Sequence, residues 1–353
     1  MNLGTKSGIS LAGVTHLRHL LPAFIVLIAA VVWGATTSPY FLNGSALLYN
    51  TGRYMEVAVL ALAMTVIIIH GDIDLSIASN VAFSAAVLGL THQAGVPVSL
   101  ASLLALLTGA ALGAVNGFFV TVLGLPSLVV TLGTLALYRG MTQIALGDGA
   151  VTGYPGDFMA ASQFLVVGVF PLPLILFFAL AFAFWLLMAK STFGIRAVLA
   201  GSSLRAAMFS GVRVNRSRFT AFVLGGTMAG VAAILITARL GSTRSNVALG
   251  LELLVITVVV LGGTDIFGGK GTIGGTVVAL FAVMAVREAL AINNVNGQIQ
   301  DAAIGMILIL TISLPHLAGR LSSGLERRRF SFVSSRNSLA KMPANIKKGN
   351  HSE

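Results

Sequence analysis

The chain has 353 residues, of which 56% are hydrophobic, and it carries a formal net charge of +11 with no cysteine. Its mean hydropathy is +0.93, and only 9% of its residues are charged, against about 25% in an ordinary soluble domain. A water-soluble fold cannot hide that much apolar surface, whereas a bilayer is itself an apolar solvent; the missing cysteines exclude a disulfide framework and thiol catalysis, and the weak period-two alternation of a membrane β-barrel is absent.

An all-α polytopic membrane protein follows, with about ten spans. In chain order they are 19–36, 55–70, 77–91, 98–123, 127–146, 164–189, 218–238, 251–264, 272–291 and 302–317. The apolar run of the first has no convincing small-residue cleavage site behind it and reads as an uncleaved span. The third and eighth are short and flanked by Gly-rich polar motifs, which fits broken or re-entrant helices. Gly109, Gly113 and Gly117 form one stripe on the fourth span, and Gly226 and Gly230 another on the seventh. Such stripes let backbones approach closely where lipid supplies no hydrophobic force between helices.

Charge sets the orientation. With the N-terminus inside, all but five of the 22 Lys and Arg fall on cytoplasmic segments, as the positive-inside rule requires. Both termini are then cytoplasmic. The chain divides into an N-terminal segment 1–18, a transmembrane domain 19–320 with a cytoplasmic loop 190–217, and a basic tail 321–353 that reads as disordered. The basic residues do not interleave with aromatics on one face, so the charge is no nucleic-acid footprint.

Three polar motifs stand out. Gly71-Asp72-Ile73-Asp74-Leu75-Ser76 places two carboxylates at a membrane boundary, where they need solvation or a partner. Asp74 or Ser76 can cap the start of the third span; a gating or coupling role is the alternative. The run Gly262 to Thr272 is glycine-rich, but Lys270 is followed by Gly271 and Thr264 stands where a phosphate loop requires glycine. It reads as a tight turn. Gly201 to Gly211 has Leu204, Ala207 and Met208 at helical spacing with Arg205 beside them. A short amphipathic helix there suits docking into a soluble partner or lying on lipid. Arg139 is the deepest charge, open to snorkelling, a structural ion pair or a pathway role. No His, Asp or Glu cluster has metal spacing, and no catalytic constellation is evident.

On these motifs, from about residue 20 to 320, the chain resembles the permease subunits of bacterial ABC sugar importers, the ribose, xylose, galactose, rhamnose and autoinducer-2 group. The carrying residues are Gly71 to Ser76, Asn116-Gly117, Pro126 to Thr134, Arg139-Gly140, Phe193-Gly194, Gly201 to Gly211 and Gly262 to Gly271. Asp72, Ser202 and Asp265 depart from that pattern. Gly241 to Ser245 looks more like the autoinducer-2 and rhamnose members. The resemblance implies a multi-pass protein of the bacterial inner membrane with no catalytic residue and no cofactor on this chain, ATP-Mg residing on a partner ATPase. It implies ATPase contact through Gly201, Leu204, Arg205, Ala206, Ala207, Met208, Ser210 and Gly211. Gly71, Asp72, Asp74, Ser76, Asp265, Gly268 and Gly269 become gating or structural positions. The implied partners are that ATPase, a second permease chain, a periplasmic sugar-binding protein and lipid. No substrate pathway is legible. An ion-coupled secondary sugar transporter is the rival, and needs acidic residues buried near the midplane.

Overall fold

The computed structural model describes residues 11–313 apart from 167, 169 and 212. The tail 321–353 and most of the segment 1–18 lie outside the described residues. The first compact unit reaches Leu308, and the architecture below is that unit's.

The helices, in order, are α1 (Leu11–Thr37), α2 (Gly44–Thr51), α3 (Met55–Ile69), α4 (Ile77–Gln93), α5 (Val98–Thr121), α6 (Ser127–Leu146), α7 (Gly156–Ala161), α8 (Leu172–Lys190), α9 (Thr192–Ser202), α10 (Leu204–Phe209), α11 (Val214–Leu240), α12 (Leu251–Leu261) and α13 (Ile273–Ile292). A further apolar helix is Gly297–Ser313. Among the described residues six helices are long and apolar enough to cross a membrane: α1, the 3-10 turn Gly52–Tyr54 continued by α3, α5, α8, α11 and α13. As the short apolar runs anticipate, α12 has 11 residues, about 16 Å at 1.5 Å per residue, too short for a 30 Å hydrocarbon core.

The sixth expected span begins too early. Instead β2 (Leu165–Val166) pairs antiparallel with β3 (Phe170–Pro171) ahead of the helix. Pro171 and Pro173 then open α8, where their missing amides cost nothing. The seventh span starts earlier than expected, at Val214.

α3 sits at the centre, buried along its whole length. It packs on α11, α12 and α8, while α5 lies along α11 and α1 along α13. The two glycine stripes meet each other. A Cβ on Gly113 would stand 2.9 Å from the Gly226 Cα, and one on Gly230 2.7 Å from the Leu106 Cα. Only hydrogen at these positions lets α5 and α11 touch backbone to backbone.

One end of the bundle is closed by β1 (Ala150–Val151), paired antiparallel with β4 (Thr243–Arg244). Tyr154 Oη and Thr243 Oγ1 share a hydrogen bond of 2.8 Å, and His92 stacks on Tyr154. Arg139 is in no ion pair among the described residues. Its Nη1 donates to the carbonyls of Ser245 (3.1 Å) and Val247 (2.8 Å), pinning the loop before α12. Glu56, itself buried, accepts from Arg239 at 2.7 Å at this same end.

Candidate functional site: a backbone junction at the basic end

At the other end, where the basic residues gather, α3, α9 and the turn from α12 to α13 converge. Gly71 follows α3 at φ +84°, a left-handed conformation open to glycine without strain. The Gly269 amide donates to the Ile69 carbonyl at 2.9 Å. Gly201, in the last turn of α9, lies against both. A Cβ there would overlap the Ile69 carbonyl oxygen and the Gly269 nitrogen, and one on Gly268 would stand 2.7 Å from the Gly71 Cα. Three chain segments thus touch through backbone atoms alone.

Polar side chains radiate from this junction. Arg218 on α11 grips Asp72 with two bonds, Nε to Oδ2 at 2.7 Å and Nη2 to Oδ1 at 2.6 Å. The fork geometry suits a buried carboxylate. His70 Nδ1 lies 2.8 Å from the Val66 carbonyl and Nε2 2.9 Å from Ser217 Oγ. A carbonyl can only accept, so in the neutral ring the proton sits on Nδ1 and Ser217 donates to Nε2. The Ile73 carbonyl accepts from Thr131 at 3.2 Å, which ties in α6.

Asp74 Oδ1 accepts from the Ser76 amide (2.9 Å) and the Ser76 hydroxyl (2.6 Å). Asp74 is therefore the residue that turns the chain into α4; the Ser76 side chain accepts from no amide of that helix. Instead the Ser76 hydroxyl receives Asn116 Nδ2 at 2.7 Å, and Tyr138 Oη donates to Asn116 Oδ1 at 3.3 Å. Burial pushes the Asp74 carboxyl up to about 6, against the opposing pull of the Ser76 hydrogen bonds. Asp265 serves its own turn, accepting from the Phe267 amide at 3.1 Å, with Lys270 Nζ at 3.9 Å.

The segment 201–211 is not one helix. Ser203 is extended (φ −163°, ψ 103°) and separates α9 from α10, so Gly201 belongs to α9 and faces the junction. Ser203 then caps α10 by accepting from the Ala206 amide at 3.3 Å. Ala207 does not share an outward face with Leu204 and Met208; it is buried against Ala200 and Val214, because its methyl is small enough to close that seam. Leu204, Arg205, Ala206, Met208, Ser210 and Gly211 are exposed. So is Phe209, at 92%, which the docking residues named from the sequence omit. An aromatic side chain inside a Ser- and Arg-rich stretch was the available signal.

The profile of the branched-chain amino acid transport system permease component matches residues 46–312. The chain belongs to this permease family. It is also similar to the autoinducer 2 import system permease protein LsrD of Escherichia coli K12, 36% identical over 299 residues that cover 83% of this chain and 90% of that one. The LsrD proteins of Shigella flexneri and of E. coli O157:H7 match to the same extent. No solved structure matches. The resemblance read from the motifs is thereby borne out. This permease is a multi-pass membrane component of a transport system and not an enzyme.

Proposed function

We propose that this permease is the membrane subunit of an ABC importer that carries a small hydroxyl-rich solute of the autoinducer-2, rhamnose or pentose kind into the cytoplasm. A separate ATPase would supply the energy, a second permease chain would complete the pathway, and a periplasmic binding protein would deliver the solute. The positive-inside rule then puts the junction and α10 on the cytoplasmic side of the inner membrane, with both termini.

The observation that carries this reading is the contrast within 201–211. α10 offers exposed Leu204, Met208 and Phe209, while Gly201, three residues before its start, is locked to backbone at the end of α3 and in the α12–α13 turn. A load applied to α10 passes through atoms that cannot swing aside. Asp72–Arg218 and the Asp74–Ser76–Asn116–Tyr138 chain carry it on to α11, α5 and α6. Closure of an ATPase pair would then rock the bundle between two packings. At the opposite end a cavity of about 210 Å³ is lined by Gly52, Arg53, Ser162, Gln163, Leu165, Pro171 and Arg239, and so offers both polar and apolar contacts to a hydroxylated solute.

The test is Phe209→Ala. Its side chain touches almost nothing in this chain, so folding should be unchanged. Co-purification of an ATPase from the native membrane and uptake of labelled autoinducer-2 should both fall at least tenfold. An ion-coupled transporter would keep its uptake in Phe209→Ala and lose it to an uncoupler while ATP stays high. Asp74 is a buried acid in no ion pair among the described residues, but it lies at the junction end and not near the midplane, which argues against that second reading.

A further inference from the structure

The junction leaves the neighbouring basic residues unexplained. Arg196 on α9, Arg213 just before α11 and Arg216 in its first turn line, with Gly211, one open concavity of about 520 Å³. The ion pairs among the described residues are Arg218–Asp72, Arg239–Glu56, Lys270–Asp265 and Arg287–Asp301. None involves these three arginines. Among the described residues no hydrogen bond reaches their guanidinium groups, and all three are exposed. Three like charges drawn to one hollow repel each other. Two of them also sit at the positive end of a long helix, where cations are disfavoured. An anion in the hollow would relieve both.

What anion is indicated by the helix that carries Arg196. α8 ends at Lys190, the chain turns at Ser191, and α9 begins at once, so α9 starts at the edge of the membrane. Its inner arc is Gly194, Ala197 and Ala200, all buried. Its outer face bears Ile195 (63% exposed), Val198 and Leu199, with Arg196 on the flank. An exposed apolar face bordered by arginine is the pattern of a helix lying in the headgroup layer, with guanidinium groups suited to phosphate oxygens.

We propose that Arg196, Arg213 and Arg216 hold the phosphate of an anionic phospholipid from the leaflet on this side, and that α9 rests on its acyl chains. α9 thus faces lipid, and the extended Ser203 that ends it separates this face from α10. The lipid would brace the outer side of the helix whose inner side carries Gly201. This inference needs only that the chain crosses a membrane, and it stands apart from the ATPase reading.

The experiment is native mass spectrometry of the full-length chain, with whatever subunits stay bound, released from nanodiscs holding equal phosphatidylglycerol and phosphatidylcholine of matched chains. The wild type should retain phosphatidylglycerol preferentially. That preference should drop about fivefold for each arginine changed to glutamine, and on the order of a hundredfold in Arg196→Gln/Arg213→Gln/Arg216→Gln. The triple lysine variant should keep most of it, which separates charge from misfolding. Equal retention by the triple glutamine variant and wild type would overturn the proposal. So would displacement of the lipid by millimolar inorganic phosphate, which would mark a site for soluble anions. Loss of the ATPase with lipid retention intact would overturn it as well, and assign the arginines to an acidic protein surface.

Discussion

Replacing Gly201 by alanine adds one methyl group at the point where three chain segments meet. The added carbon would overlap the Ile69 carbonyl oxygen and the Gly269 nitrogen, and would stand 3.0 Å from the Gly268 carbonyl carbon. All are backbone atoms, so no side chain can rotate out of the way. Overpacking of this kind costs about 1–3 kcal/mol, and the fixed obstacles put Gly201→Ala at the upper end, about 3 kcal/mol. At about 1.4 kcal/mol per factor of ten, inactivation in detergent at a fixed temperature would accelerate by up to roughly 100-fold, if the contact is absent from the unfolding transition state. Gly133→Ala is the matched control. It also sits inside a helix, but nothing lies within 4 Å of its added carbon, and alanine is the better helix former. Its half-life should equal or exceed that of the wild type. Transport in Gly201→Ala should fall even in membranes where the protein remains folded, because α9 must lift from the junction. Equal half-lives for the two variants would refute the backbone junction.

Two further outcomes follow from named pairs. Asp72→Ala leaves Arg218, whose side chain is only 14% exposed, without its carboxylate, at a cost of about 3 kcal/mol; Asp72→Leu with Arg218→Met should recover most of it, as read by the same inactivation rates. Arg139→Gln removes both bonds to the Ser245 and Val247 carbonyls, so amide hydrogen exchange across 241–250 should speed up roughly 10- to 100-fold while exchange near Gly201 stays unchanged.

Hydropathy made the membrane class, the six long spans and the short α12 legible, because each is a property of a contiguous run. The glycine stripes on α5 and α11 were also visible, since helical spacing alone puts Gly109, Gly113 and Gly117 on one face. That the two stripes would face each other was not. The docking segment was legible in position but not in its division. Nothing local required Ser203 to be extended or Ala207 to turn inward; the space left by Ala200 and Val214 decided that.

The pairings at the junction were out of reach for a related reason. Asp72 and Arg218 are 146 positions apart, and His70 and Ser217 are 147 apart. Periodicity offers no help on α3, which is buried on every side and so has no amphipathic stripe to orient it. Composition and order along the chain determined that this protein crosses a membrane, where its charge collects and which motifs interrupt its spans. Only the tertiary structure decided that Gly71, Gly201, Gly268 and Gly269 share one point. A glycine in sequence records merely that a side chain is absent, and what comes to occupy that space is set by how distant helices pack.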